Sequence, residues 1–188
     1  MEGVESMTSK HFLLTDVVVA APSSLLLSYA DGEQLVVNLD EIIARHPTLQ
    51  ALSDPKVFAT AALGEWRDSV TWMDDDNLEL ASDNLRARAL EQAGECSHEV
   101  ILDWMAKHGL TLDSAAQELG LSRRMLAYYR SGAKPVPRTV ALAMKGWERL
   151  EVERDSAGSV PACNPIKLKI KQLGKGADPS SSPPRKRA

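Results

Sequence analysis

Between Leu121 and Lys134 the chain reads LSRRMLAYYRSGAK, so Arg123, Arg124 and Arg130 stand close to Tyr128. A guanidinium is a planar fork of N–H donors that matches phosphate oxygens and the O6/N7 edge of guanine. Such residues suit recognition of phosphates and base edges. Patterns for bond chemistry are missing elsewhere: there is no nucleophile elbow, phosphate loop or HExxH. The GKG at 174–176 lacks the strand that a phosphate cradle follows. Cys96 and His98 supply only two of the four ligands that a zinc site needs. The run Asp74-Asp75-Asp76 offers oxygens to a divalent cation but lacks the glycine and terminal Glu of a calcium loop, so it reads as a solvated turn. No catalytic, cofactor or metal site is expected, and the chain does not read as an enzyme.

What could hold the arginines in place lies in TLDSAAQELGLSRRMLAYYRSGAKPVP, residues 111–137. A helix-turn-helix needs a small residue where its helices cross, and Ala116 serves. It needs a residue tolerant of positive φ four places on, which is Gly120. Leu121 is the apolar turn residue and Ser122 the cap of the second helix. Leu126 and Tyr129 then point inward, leaving Arg123, Arg124, Ala127, Tyr128 and Arg130 outward. A recognition helix sets its early residues against base edges and its flanks against phosphates. The candidate DNA-binding set is therefore Ser122, Arg123, Arg124, Ala127, Tyr128 and Arg130. A helical hairpin with ordinary surface arginines is the alternative reading.

Charge separates this region from the rest. Lys+Arg number 22 and Asp+Glu 26, a net −4. Residues 1–96 hold 6 cations and 17 anions, residues 97–158 hold 9 and 8, and residues 159–188 hold 7 and 1. The first half, at −11, repels nucleic acid, whereas the basic tail could track phosphates or simply solubilise the chain. Two cysteines build no disulfide framework, so a reducing cytoplasm is the default compartment. No stretch of about 18 apolar residues exists, so no membrane span is expected. Hydrophobic residues at 44% are ordinary for a globular chain with a real core.

Apolar and β-branched runs predict strands at 12–20, 24–30 and 34–38, with Asp31-Gly32 as the hairpin turn of the last two. Asp40 is expected to cap a helix over 40–45, and Asp54-Pro55 to open another over 55–61. A strand pair is expected near 60–65 and 68–73. Ser82 or Asp83 should cap a helix running to about 92. Beyond 97 the apolar spacing is helical throughout, giving four helices: one bearing Val100, Ile101, Trp104 and Met105, the two of the 111–137 segment, and a longer one from near Arg138. Trp66 and Trp72 read as core or rim aromatics. From Gly158 the Pro-, Ser- and Lys-rich composition predicts disorder.

Residues 111–150 resemble the phage-repressor-like helix-turn-helix superfamily, through LDSAAQELGLSRRMLAYYRSGAKPVPRTVALAM. Residues 12–85 resemble the bacterial domain-of-unknown-function family 2442 (DUF), through LLLSYADGEQLVVNLDEII, LSDPKVFATAAL and VTWMDDDNLEL. The order of strand, DG turn, strand with an Asp-led helix, DP-led helix and Trp-bearing strand carries that second likeness. It implies a fold and no catalytic residues. Some relatives look like partners of toxin-type proteins, which implies an antitoxin-like alternative.

The expected protein is α+β. A small antiparallel-sheet domain with short helices spans 11–95, an all-α helix-turn-helix domain spans 97–154, and a disordered basic tail spans 158–188. The expected function is sequence-specific binding of double-stranded DNA by a bacterial transcriptional regulator. The N-terminal domain would dimerise the chain or bind an effector or partner. The alternative is an antitoxin-like module that neutralises a toxin-like protein. No cofactor is expected.

Overall fold

The structure, a computed structural model, describes residues 10–157. The reading of a disordered tail over 158–188 lies outside the described residues.

The chain is α+β. Strands β1 (Leu14–Ala21), β2 (Ser24–Tyr29) and β3 (Gln34–Asn38) form an antiparallel meander in that order. Pleating sends Leu25, Leu27 and Tyr29 of β2 to the core and leaves Leu26 and Ser28 half-buried on the other face. The β2–β3 turn is Asp31-Gly32, with Gly32 at φ +91. Helix α1 (Asp40–Arg45) lacks the cap expected from Asp40: Asn38 Oδ1 accepts the Asp40 N–H, and the Asp40 carboxylate caps nothing in the helix. A 3-10 helix over Pro47–Ser53, unforeseen, buries Leu49 and Leu52. Asp54 caps α2 (Pro55–Phe58) by accepting the Lys56 N–H, as its Asp-Pro start predicts, but the helix ends three residues early.

A second antiparallel sheet holds β4 (Ala62–Leu63), β5 (Ser69–Trp72) and β6 (Asp75–Ala81). The acidic run, read as a solvated turn, turns at Asp74 and enters a strand at Asp75. Met73 and Asp74 both take left-handed φ (57° and 55°), and Asp75 pairs with Trp72 to start β6. Two successive positive-φ residues make the tight turn whose twist suits a hairpin. Trp72 is fully buried and donates from Nε1 to the Phe58 carbonyl, whereas Trp66 is exposed.

Helix α3 (Ser82–Gln92) lies along β3. Neither Ser82 nor Asp83 caps it: the N-cap is Ala81, and the Ser82 hydroxyl donates instead to the Phe12 carbonyl. Arg86 is nearly buried, which is tolerable because both terminal nitrogens of its guanidinium are engaged. It pairs with Asp31 and Glu33, donates to the His11 carbonyl and stacks 4.6 Å over the Tyr29 ring. One apolar core joins these elements through Leu14, Leu27, Val37, Phe58, Trp72 and Leu85, among others.

A second core joins α4 (His98–Lys107), α5 (Leu112–Glu118), α6 (Arg123–Arg130) and α7 (Arg138–Ala157) through Ile101, Trp104, Met105, Ala116, Leu126 and Met144. Trp104 meets Trp147 edge-on at 5.3 Å, and Trp147 Nε1 donates to Glu118, tying α7 to α5. None of the helices among the described residues is long and apolar enough to cross a membrane.

Candidate nucleic-acid interface

Local sequence sets the α5–α6 geometry. Thr111 accepts the Ser114 N–H while Ser114 Oγ accepts the Thr111 N–H, a reciprocal cap that fixes where α5 starts. Gly120, at φ +66, ends it, and the Leu121 N–H returns to the Ala116 carbonyl. Ser122 caps α6 by accepting the Met125 N–H. Ala115 and Ala116 are buried at the crossing, and Leu126 is fully buried against them. Tyr129, expected inward, packs half-buried beside that core.

The outward residues form one surface. Ser122, Arg123, Arg124 and Arg130 are exposed; Ala127 and Tyr128 are half-buried. Arg123 Nε lies 2.9 Å from Asp113 Oδ1, and both side chains are more than two-thirds exposed. Arg124 donates from Nε to the Tyr128 hydroxyl at 2.9 Å, with its guanidinium 5.5 Å from that ring. Lys134 approaches the same ring at 5.4 Å, and its backbone N–H donates to the Tyr128 carbonyl. The loop after α6 thereby covers part of Tyr128, which accounts for its half-burial. Lys134 is a cation that the helix pattern alone misses; its signal in the sequence is a lone Lys in the Gly-Pro loop that must fold back over the helix end.

Chemically, this surface is suited to binding an anion. Three arginines and a lysine offer N–H donors to an anion, and α6 adds the free N–H groups and positive dipole end of its first turn. Asp113 holds Arg123 in place while no anion is present and would have to release it to one.

The rest of the helical unit buttresses this face. Glu148 of α7 accepts from Lys107 at the end of α4 and from His108 just beyond it, and those two bonds hold its carboxyl below the ordinary carboxylate range. The N-terminal residues meet the far end of α6. His11 Nε2 donates to the Ser131 carbonyl at 3.3 Å, and Phe12 packs against Gly132 and 5.1 Å from the His98 ring. Burial pushes the His98 imidazole below its ordinary range; Asp83 opposes that shift and His11 reinforces it. Cys96 is half-buried, and burial with Glu91 nearby raises its thiol. Among the described residues no three His, Cys, Asp or Glu side chains gather as a metal site.

A crystal structure of the "Putative DNA Binding Protein NE0471 from Nitrosomonas europaea ATCC 19718" superposes on this chain with a TM-score of 0.68. The two are 40% identical, over 84% of this chain and 99% of that one. The chain belongs to the family of that protein. No protein-family model matches the chain, and no curated protein does.

Proposed function

We propose that the protein binds double-stranded DNA sequence-specifically through α6 and acts as a bacterial transcriptional regulator. The observation that carries this reading is the exposed cationic face of α6, built on a capped helix, a glycine turn and a second capped helix. The name of its 40%-identical relative supports the same reading. Arg123 and Arg124, at the start of α6, read base edges; Arg130 and Lys134, at its far end, neutralise phosphates. Ser122 and Ala127 sit close to the backbone, and Tyr128 orients Arg124. The protein binds and does not catalyse. The likeness of residues 12–85 to DUF family 2442 and of 111–150 to phage-repressor-like domains forms part of the proposal.

One recognition helix contributes few base contacts, each good bidentate arginine–guanine pair being worth about 1–3 kcal/mol. Two copies on half-sites about 34 Å apart meet that shortfall.

The test is selection of bound sequences from a random DNA pool by the full chain, followed by titration of the selected site. Arg123→Ala and Arg124→Ala should each weaken binding roughly 5- to 150-fold, at about 1–3 kcal/mol, and leave the melting temperature unchanged. Failure to enrich any sequence, or unaltered affinity in the double variant, would overturn the assignment.

A further inference from the structure

We propose that the free edge of β1 is where a second copy of this chain docks, joining two three-stranded sheets across a two-fold axis. The sheet order β1-β2-β3 leaves two edges. The β3 edge is closed by α3: Gln92 accepts the Asn38 N–H and donates to the Asn38 carbonyl, both at 2.8 Å, as a neighbouring strand would. The β1 edge has no such cover beyond its contacts with β4 and the Asp16 Oδ1 that accepts the Val17 N–H. Its first residue bonds outward, Leu14 N–H to the Arg67 carbonyl. Among the described residues, every other inter-strand pairing of β1 is with β2.

What this edge displays is unusual for a solvated strand. Val18, Val19, Ala20 and Ala21 are all exposed, Val18 at 48%, and Val18 continues across the sheet into Leu26 and then Val36. Exposed edges are ordinarily protected by lysines, prolines or bulges within the strand. Here the strand's bulges fall near its two ends, between Leu14 and Asp16 and between Val19 and Ala21, and the valines lie between them. No Asp, Glu, Lys or Arg occurs from Val17 to Ala30, in a half of the chain that carries −11.

Charge identifies the occupant. The strand's one ionisable residue is Asp16. An antiparallel register centred on Val18 sets Asp16 of each copy opposite Ala20 of the other, and Val17 opposite Val19. No like charges face each other, and the same residues serve on both sides, as a two-fold interface requires. The strand is thus its own complement. Pairing residues 16–20 of each copy covers less than the roughly 800 Å² per partner of a standard stable interface. The dimer is therefore concentration-dependent in solution. It would supply the second copy that the DNA reading calls for, but it stands on the strand edge alone.

Sedimentation of the full chain without DNA, over a wide concentration range, should show monomer converting to dimer. Val18→Lys should hold the chain monomeric at every concentration, with unchanged circular dichroism because the side chain is exposed. A Val18→Cys chain, with Cys96→Ser and Cys163→Ser, should cross-link to itself under diamide, since directly opposed Cα atoms lie about 4.5–5.5 Å apart, within disulfide reach. Val36→Cys in the same background, toward the covered edge, should cross-link far more slowly. A wild-type chain that stays monomeric, a dimer undiminished by Val18→Lys, or equal cross-linking at Val36 would overturn the proposal. Since mass and cross-linking are read without DNA, a dimer with no DNA affinity would support this proposal and refute the DNA reading. A strictly monomeric chain that binds selected DNA would do the reverse.

Discussion

Gly132→Ala probes the joint between the N-terminal residues and the far end of the recognition helix. Gly132 has φ +69, where an L-residue costs about 1–2 kcal/mol. A Cβ there would also stand 2.6 Å from Phe12 Cζ, far inside the 3.5–4.0 Å of a comfortable carbon contact. The Phe12 ring is confined by His11 and His98 at 4.1 and 5.1 Å, so it cannot withdraw freely. Overpacking of this kind costs about 1–3 kcal/mol, so the full loss is about 2–5 kcal/mol. Gly120 provides the control. Its φ is +66, and an added Cβ meets nothing within 4 Å, so Gly120→Ala carries the backbone cost alone. Urea unfolding followed by far-ultraviolet circular dichroism and by tryptophan fluorescence gives both losses. In a Phe12→Ala background the excess at Gly132 should disappear and the two alanines should cost the same. If Gly132→Ala costs no more than Gly120→Ala, or if its excess survives the loss of Phe12, the joint is not packed as described.

Three further outcomes are expected. Asp113→Asn releases Arg123 from a well-exposed pair, so stability should fall by no more than about 0.5 kcal/mol while DNA affinity rises; weaker binding in a gel titration would contradict the role given to Arg123. Because the folded state holds the His98 imidazole below its ordinary 6.5, the unfolded chain takes up the proton first. That contribution to stability is complete above about pH 6.5 and is lost as pH falls through the folded value, and His98→Gln should flatten this part of the urea-midpoint profile against pH. Deleting residues 159–188 removes seven cations and one anion, and should flatten the log K against log salt slope by about 0.9 for each phosphate that the tail neutralises, without reordering preferred sequences.

The α5–turn–α6 unit was legible because every rule that shapes it acts within four residues. Ala116 at the crossing, Gly120 at positive φ and Ser122 as cap are each a local requirement met by a local residue type. The Asp31-Gly32 hairpin was legible for the same reason. The β5–β6 hairpin was not, since Met73-Asp74 reaches two left-handed residues without the glycine that announces such a turn, and the acidic run resembled a loop. Tertiary packing alone decided the remaining features. Asp113 meets Arg123 only because α5 and α6 cross as they do, and Lys134 reaches Tyr128 only because the loop turns back. Arg86, on a helix whose sequence gives no sign of burial, is enclosed by Asp31, Glu33 and the His11 carbonyl from distant segments. His11 and Ser131 touch across 120 residues of chain. Helix caps, turns and hydrophobic periods are properties of neighbours in sequence, so they already locate most of the α-helices, the strands β1 to β3 and the cationic face of α6. Which elements enclose a charge, and which strand edge stays open, depends on how separate elements come together, and no local spacing encodes that.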